Sequence, residues 1–261
     1  MYIESKTISF RAKSGDITAT LMTPDAFHRG LAIVLPGAAY SCAHPLLYYS
    51  IKVLLKNKYR VIALNKLYAE DPQFVEITKT EEALHFVEED SICLFEQIRD
   101  QFLTIDTILA HSLGTYAVAC ALENELVTPR NIIWQCPSLN SKWNTMKNCP
   151  TRSLGIIGTL DERYSLAKTC LPKDRLVIEG ADHSLEIPGD PNKTIEILKQ
   201  VTQKTYDWLA VEAPIDISLT DYSLRLSHEE RIENHESALN LVTDLQEAGK
   251  TLHETQPKSA P

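Results

Sequence analysis

Glycine is scarce in this chain, nine in 261 residues, and that is too few for the glycine-rich cradles that hold nucleotide phosphates. Neither G-x-x-x-x-G-K-[ST] nor a G-x-G-x-x-G after the first strand is present, and H-E-x-x-H is missing as well. The six cysteines, at positions 42, 93, 120, 136, 149 and 170, form no C-x-x-C pair and no Cys/His metal spacing. They read as reduced, mostly buried thiols, and no metal or other cofactor is expected. No run approaches the ~18 apolar residues of a membrane span, and Met1-Tyr2-Ile3-Glu4-Ser5-Lys6 carries neither the basic flank nor the apolar stretch of an export signal. The expectation is a cytoplasmic protein with no membrane partner. Positive charge is also in short supply, 26 Lys plus Arg against 35 Asp plus Glu for a net charge of −9. The basic residues are dispersed, so no nucleic-acid partner is expected.

What is present is a regular alternation of elements. Thr7–Ala12 and Asp16–Met22 alternate in polarity around Ser14-Gly15, which predicts an edge hairpin. Short apolar runs follow at 31–35, 60–64, 104–110, 131–134, 154–158 and 175–178. Helical patterns lie at about 45–57, 79–102, 113–126, 163–170 and 191–210. Strands alternating with helices predict an α/β fold: a mainly parallel eight-stranded sheet with an N-terminal antiparallel hairpin and helices on both faces. The 79–102 pattern has an apolar stripe of Ala83, Leu84, Val87, Ile92, Leu94, Phe95 and Ile98. Its other face carries Glu81, Glu82, Glu88, Glu89, Asp90, Glu96 and Asp100, which reads as a solvated surface.

The composition changes near Leu209, dividing the chain into a domain at 1–210 and an acidic extension at 211–261. The extension holds ten acidic and four basic side chains. Within it, Ser227-His228-Glu229-Glu230 fits a capping box for one amphipathic helix at about 227–248, with Ile232, Leu239, Val242 and Leu245 on one side. A lone helix with one apolar stripe is not stable in isolation. It must dock on its own domain, on a second copy in a homodimer, or on a protein partner with a basic or apolar surface.

The strongest local signal is Ala110-His111-Ser112-Leu113-Gly114, set between an apolar strand and an alanine-rich helix. A sharp strand-to-helix turn presents a serine hydroxyl at the edge of a sheet, and small residues two places before and after it let the backbone pass closely. Such a serine needs a base, and the base needs a carboxylate to hold its tautomer. Downstream, the strand at 154–158 runs into Thr159-Leu160-Asp161-Glu162, and the strand at 175–178 runs into Glu179-Gly180-Ala181-Asp182-His183. All of these lie beyond strand C-termini, where open α/β sheets bind ligands.

With these motifs the chain resembles the α/β-hydrolase superfamily over roughly residues 5–210, and within it the small, cap-less, mostly uncharacterised bacterial members. The resemblance implies Ser112 as nucleophile, His183 as general base and then acid, and Asp161 as the orienting carboxylate, with Glu162 and Asp182 as competitors for the last role. Leu35-Pro36-Gly37-Ala38-Ala39-Tyr40 matches the family's oxyanion loop with Pro36 in place of the usual His. The oxyanion donors implied are the backbone N–H groups of Ala38 and Leu113. Only Pro137–Thr151 is available for an insertion after the sixth strand, so no cap domain is expected and the site should be open. Tyr40, His44 and Trp143 are the candidate substrate-binding side chains, with Tyr48 and His111 nearby. The implied activity is that of a serine esterase on a small or medium acyl ester. A thioesterase, lactone hydrolase or peptidase would use the same residues, and a hydrolase-fold binding protein acting through its C-terminal helix is the reading from another class.

Overall fold

Lys13 and Ser14 reverse the chain between β1 (Ile3–Ala12) and β2 (Gly15–Pro24), with Gly15 at φ 110° as the first residue of β2. This hairpin forms one end of an eight-stranded sheet in the computed structural model, which describes residues 2–25, 28–78, 82–102, 104–211 and 227. The chain divides into the units Met1–Pro214 and Ile215–Pro261. The first holds every element discussed below. The predicted helix at about 227–248 lies outside the described residues.

β2 pairs antiparallel with β4 (Tyr59–Leu64). From there the sheet is parallel through β3 (Gly30–Leu35), β5 (Thr107–His111), β6 (Asn131–Gln135), β7 (Arg152–Gly158) and β8 (Asp174–Ile178). The spatial order is β1-β2-β4-β3-β5-β6-β7-β8. Strands buried on both sides feed two cores. On one face Ile33, Leu35, Ile62, Ile108, Ala110 and Trp134 pack against α3 (Glu82–Gln101) and α4 (Leu113–Glu123). On the other, the alternate residues Val34, Val61, Ala63, Leu109 and Ile133 meet α1 (Pro45–Lys56) and α7 (Pro191–Ala210). Continuous apolar runs are what a parallel sheet covered on both faces requires.

Several boundaries differ from expectation for local reasons. The third parallel strand starts at Thr107 rather than 104, because Asp106 is the joint: its N–H donates to Leu31 O and its carbonyl accepts from Arg130 and Asn131. α4 ends at Glu123 instead of 126, since Glu125 adopts φ 54° and the Leu126 N–H turns back to Ala121 O. The helix expected at 163–170 is the single turn α6 (Tyr164–Ala167). A helix not anticipated, α2 (Pro72–Ile77), starts on Asp71, whose carboxylate accepts from the N–H groups of Gln73 and Phe74, with Pro72 in the first turn.

Asp90 corrects the reading of the acidic helix face. It is fully buried, and its carboxylate accepts from the Ser14 N–H at 2.8 Å and the Ser14 hydroxyl at 2.5 Å. Periodicity placed it in solvent because the hairpin turn that covers it comes from 76 residues away. Between β6 and β7 lie a 3-10 turn at Asn140–Lys142 and the five-residue α5 (Trp143–Lys147), so no cap domain is inserted there.

Candidate active site

Ser112 stands at the junction of β5 and α4 with φ 50° and ψ −121°, a strained backbone for a residue with a side chain. Three contacts hold it there. Its N–H donates to Gln135 O at the end of β6, at 3.0 Å, and its carbonyl accepts from the Thr115 N–H and the Thr115 hydroxyl. Thr115 Oγ1 in turn accepts the Ser138 N–H at 2.9 Å, so the turn is tied to the loop after β6. Glycine at 114 is required by close passage: a Cβ there would sit 2.7 Å from the carbonyl oxygens of both Leu35 and Pro36. The same approach brings the Pro36–Tyr40 loop against the serine, since a Cβ on Gly37 would lie 3.2 Å from Ser112 Cβ.

The loops after β7 and β8 are bound to each other. The Thr159 N–H donates to Ile178 O, the Leu160 N–H to Ala181 O, and the Gly180 N–H to Thr159 Oγ1. A Cβ on Gly158 would lie only 2.1 Å from Ala181 O, so these loops pass each other as backbone on backbone. Their side chains therefore meet. His183 Nδ1 is 2.6 Å from Asp161 Oδ2, and His183 Nε2 is 2.8 Å from Ser112 Oγ.

The competing acids are accounted for elsewhere. The Glu162 side chain is 75% exposed and pairs with Arg163. Asp182 shapes its own loop, accepting from the N–H groups of Ser184 and Glu186. Asp161 has a side chain with no solvent exposure, against 31% for His183. Burial pushes its carboxyl up, but hydrogen bonds from His183 and the Arg163 N–H outweigh that and hold it below the usual carboxylate range. An ionised carboxylate only accepts, so Nδ1 carries the imidazole proton and the Nε2 lone pair faces the serine hydroxyl. That is the tautomer a general base needs.

Leu113 is the first residue of α4, so its N–H has no intrahelical acceptor and points with the positive end of the helix dipole. Ala38 is half-buried in the loop that Gly114 admits, and its carbonyl is engaged by the Ala69 N–H. Of the side chains expected near substrate, Tyr40 stacks on His44 with ring centroids 4.5 Å apart and meets the His111 ring tilted at 4.6 Å, and the His111 and His183 ring centroids are 5.6 Å apart. Burial pushes the Tyr40 phenol up to about 12. His44 is exposed and caps its own loop, its Nδ1 accepting the Ser41 N–H at 3.0 Å. Trp143 packs half-buried against the core on the α3 and α4 side.

Cys136 is a neighbour that sequence reasoning passed over. It sits at φ 46° just beyond β6, fully buried. Its Sγ, a carboxylate oxygen of Asp161 and a ring nitrogen of His183 lie within 4.8 Å of one another. These are the donors among the described residues with chemistry suited to a divalent metal. Asp161 and His183 are already bonded to each other, however, and burial raises the thiol well above its ordinary value. The position just beyond a strand was the available signal.

No protein-family model and no curated protein matches the sequence. Solved structures do match. An α/β serine hydrolase without lid from Xanthomonas campestris superposes with a TM-score of 0.55 at 17% identity, covering 79% of this chain and 96% of that one. Dienelactone hydrolase from Anabaena variabilis gives 0.58 at 18% identity, covering 80% and 97%. The carboxylesterase CesB from Bacillus subtilis gives 0.53 at 13% identity, covering 80% and 93%.

The chain has the α/β-hydrolase fold.

In this fold the sheet edge that carries Ser112, Asp161 and His183 is the one formed by the C-terminal ends of β5, β7 and β8. The α/β-hydrolase scaffold here is of the cap-less form, with only α5 and a 3-10 turn between β6 and β7. No described helix is long and apolar enough to cross a membrane.

Proposed function

We propose that this protein is a serine hydrolase that cleaves small or medium acyl esters through an acyl-serine intermediate. The observation that carries the reading is the continuous hydrogen-bonded line from Ser112 Oγ through His183 to Asp161. The esterase, carboxylesterase and dienelactone hydrolase functions named for structures of the same fold support it.

The hydrogen-bonded line supports the following order of events. Ser112 Oγ attacks the ester carbonyl carbon while its proton passes to His183 Nε2, and Asp161 stabilises the resulting imidazolium. The carbonyl oxygen becomes an oxyanion, which the N–H groups of Ala38 and Leu113 would receive at about 3–4 kcal/mol per donor. Collapse breaks the bond to the alcohol oxygen, which leaves with the Nε2 proton. Water then attacks the acyl-serine, gives a proton to His183, and the acid departs as Ser112 recovers its hydrogen. The free thiols of Cys42, Cys93, Cys120, Cys136, Cys149 and Cys170 support a reducing, cytoplasmic setting.

Hydrolysis of p-nitrophenyl acetate by the full chain tests the reading. The parent should turn over and Ser112→Ala should lose at least about 10⁴-fold in kcat. Equal activity in both would overturn the assignment.

A further inference from the structure

One apolar cavity beside the site has no part in the chemistry above. It has a volume of about 220 Å3 and lies between the start of α1, at Leu46 and Tyr49, and the N-terminal and middle turns of α7, at Ile195, Leu198 and Val201. Two of the polar groups on its wall are already engaged. Thr194 Oγ1 accepts the Ile187 N–H and donates to Asp190 O, and the Tyr40 phenol oxygen accepts the Leu46 N–H. Ser184 and Glu186 add polar atoms to a wall that is otherwise mostly hydrocarbon, from Leu46, Leu185, Ile195, Leu198 and Val201.

Part of its wall comes from the two segments that carry Ala38 and His183. There it is lined by Tyr40 and Ser184. Tyr40 belongs to the loop that carries Ala38 and its ring contacts that of His111, and Ser184 directly follows His183. Ile195 is 64% exposed, so chains can enter along α7. An aliphatic cavity of about 150 Å3 takes up a benzene, so this one accommodates an unbranched chain of about six to eight carbons.

We infer that this cavity binds an unbranched apolar chain of the ester and makes the protein selective for medium-length substrates. The inference rests on the serine-hydrolase reading. Each methylene drawn from water into such a site raises kcat/KM about fourfold, up to the length the cavity holds.

Two ester series on the full chain distinguish the acyl from the alcohol side: p-nitrophenyl esters of lengthening acids, and acetates of lengthening primary alcohols. In one series kcat/KM should climb about fourfold per methylene and stop near about eight carbons, the other remaining flat. Leu198→Trp, which fills the cavity from α7, should move the break to shorter chains while leaving p-nitrophenyl acetate hydrolysis essentially unchanged. Ile195→Trp at the rim does the same without entering the core. Flat profiles in both series, or an unmoved break in both variants, would overturn the cavity assignment and leave the nucleophile reading standing. Calorimetric binding of octanoate to Ser112→Ala reads the cavity without hydrolysis, and adding Leu198→Trp should abolish it. If no ester is cleaved yet octanoate binds in this way, the cavity stands and the hydrolase reading falls. If neither is seen, both fall.

Discussion

His183 Nε2 lies 2.8 Å from Ser112 Oγ although the two residues are 71 positions apart in the chain. Ser112 is held by the turn between β5 and α4, and His183 arrives on the loop after β8. β6 and β7 separate those two strands in the sheet, so the contact depends on the loop after β8 being drawn back by its ties to the loop after β7.

Asp161, rather than Glu162, should be the acid that matters for rate. Asp161→Asn keeps the shape but offers His183 an amide, which favours the wrong tautomer, and kcat is expected to fall by about 10⁴-fold. Glu162→Gln removes only an exposed ion pair with Arg163 and should stay within about twofold of the parent. Steady-state kinetics of the two variants on one ester decide between them.

Gly114→Ala should impair catalysis without touching a reacting group. Its Cβ would press on the carbonyl oxygens of Leu35 and Pro36, each 2.7 Å away, and force the loop bearing Ala38 outward. Loss of one oxyanion donor predicts a fall in kcat of about 10²–10³-fold, accompanied by about 1–3 kcal/mol of overpacking. Kinetics paired with urea unfolding would show both effects, and an unchanged kcat would separate that loop from the reaction.

His111 should make the fold acid-sensitive. It is buried, with Nδ1 lacking a hydrogen-bond partner among the described residues, and burial together with the neighbouring His183 pushes its pKa from 6.5 down to about 3. The unfolded chain takes up a proton as pH falls through about 6.5, whereas the folded chain does not until about 3. Between those values the unfolded state binds more protons, so stability falls on acidification by about 1.4 kcal/mol per pH unit from this group. Urea unfolding of His111→Phe across that window should show a shallower decline than the parent. Parallel curves would mean that His111 is not the group responsible.

Much of this molecule is legible in its order of residues. Apolar runs at 31–35, 60–64, 131–134 and 154–158 coincide with strands, because strands buried on both faces leave little else that their side chains can be; the run at 175–178 coincides with the edge strand β8, where only Ile178 is buried. Ser112, Asp161 and His183 stand out as candidates because each lies within five residues of a strand's C-terminal end, and the fold brings their side chains together. Which acid faces His183 was not readable, since it depends on how the 159–163 turn directs neighbouring carboxylates, one inward and one to solvent. Asp90 was misread for a similar reason: its partner is the hairpin turn, far off in the chain. The ring contact of Tyr40 with His111 and the cavity between α1 and α7 join segments that periodicity treats separately. The start of α2 was encoded by Asp71-Pro72 and could have been found from the chain alone.

The central claim is that Ser112 is a nucleophile activated by His183. Intact-mass measurement of the full chain after treatment with a fluorophosphonate, with peptide mapping of the adduct, tests it most directly. The account predicts one phosphonyl group per chain, on Ser112, and none in Ser112→Ala. An unlabelled parent, or equal labelling of parent and variant, would contradict it.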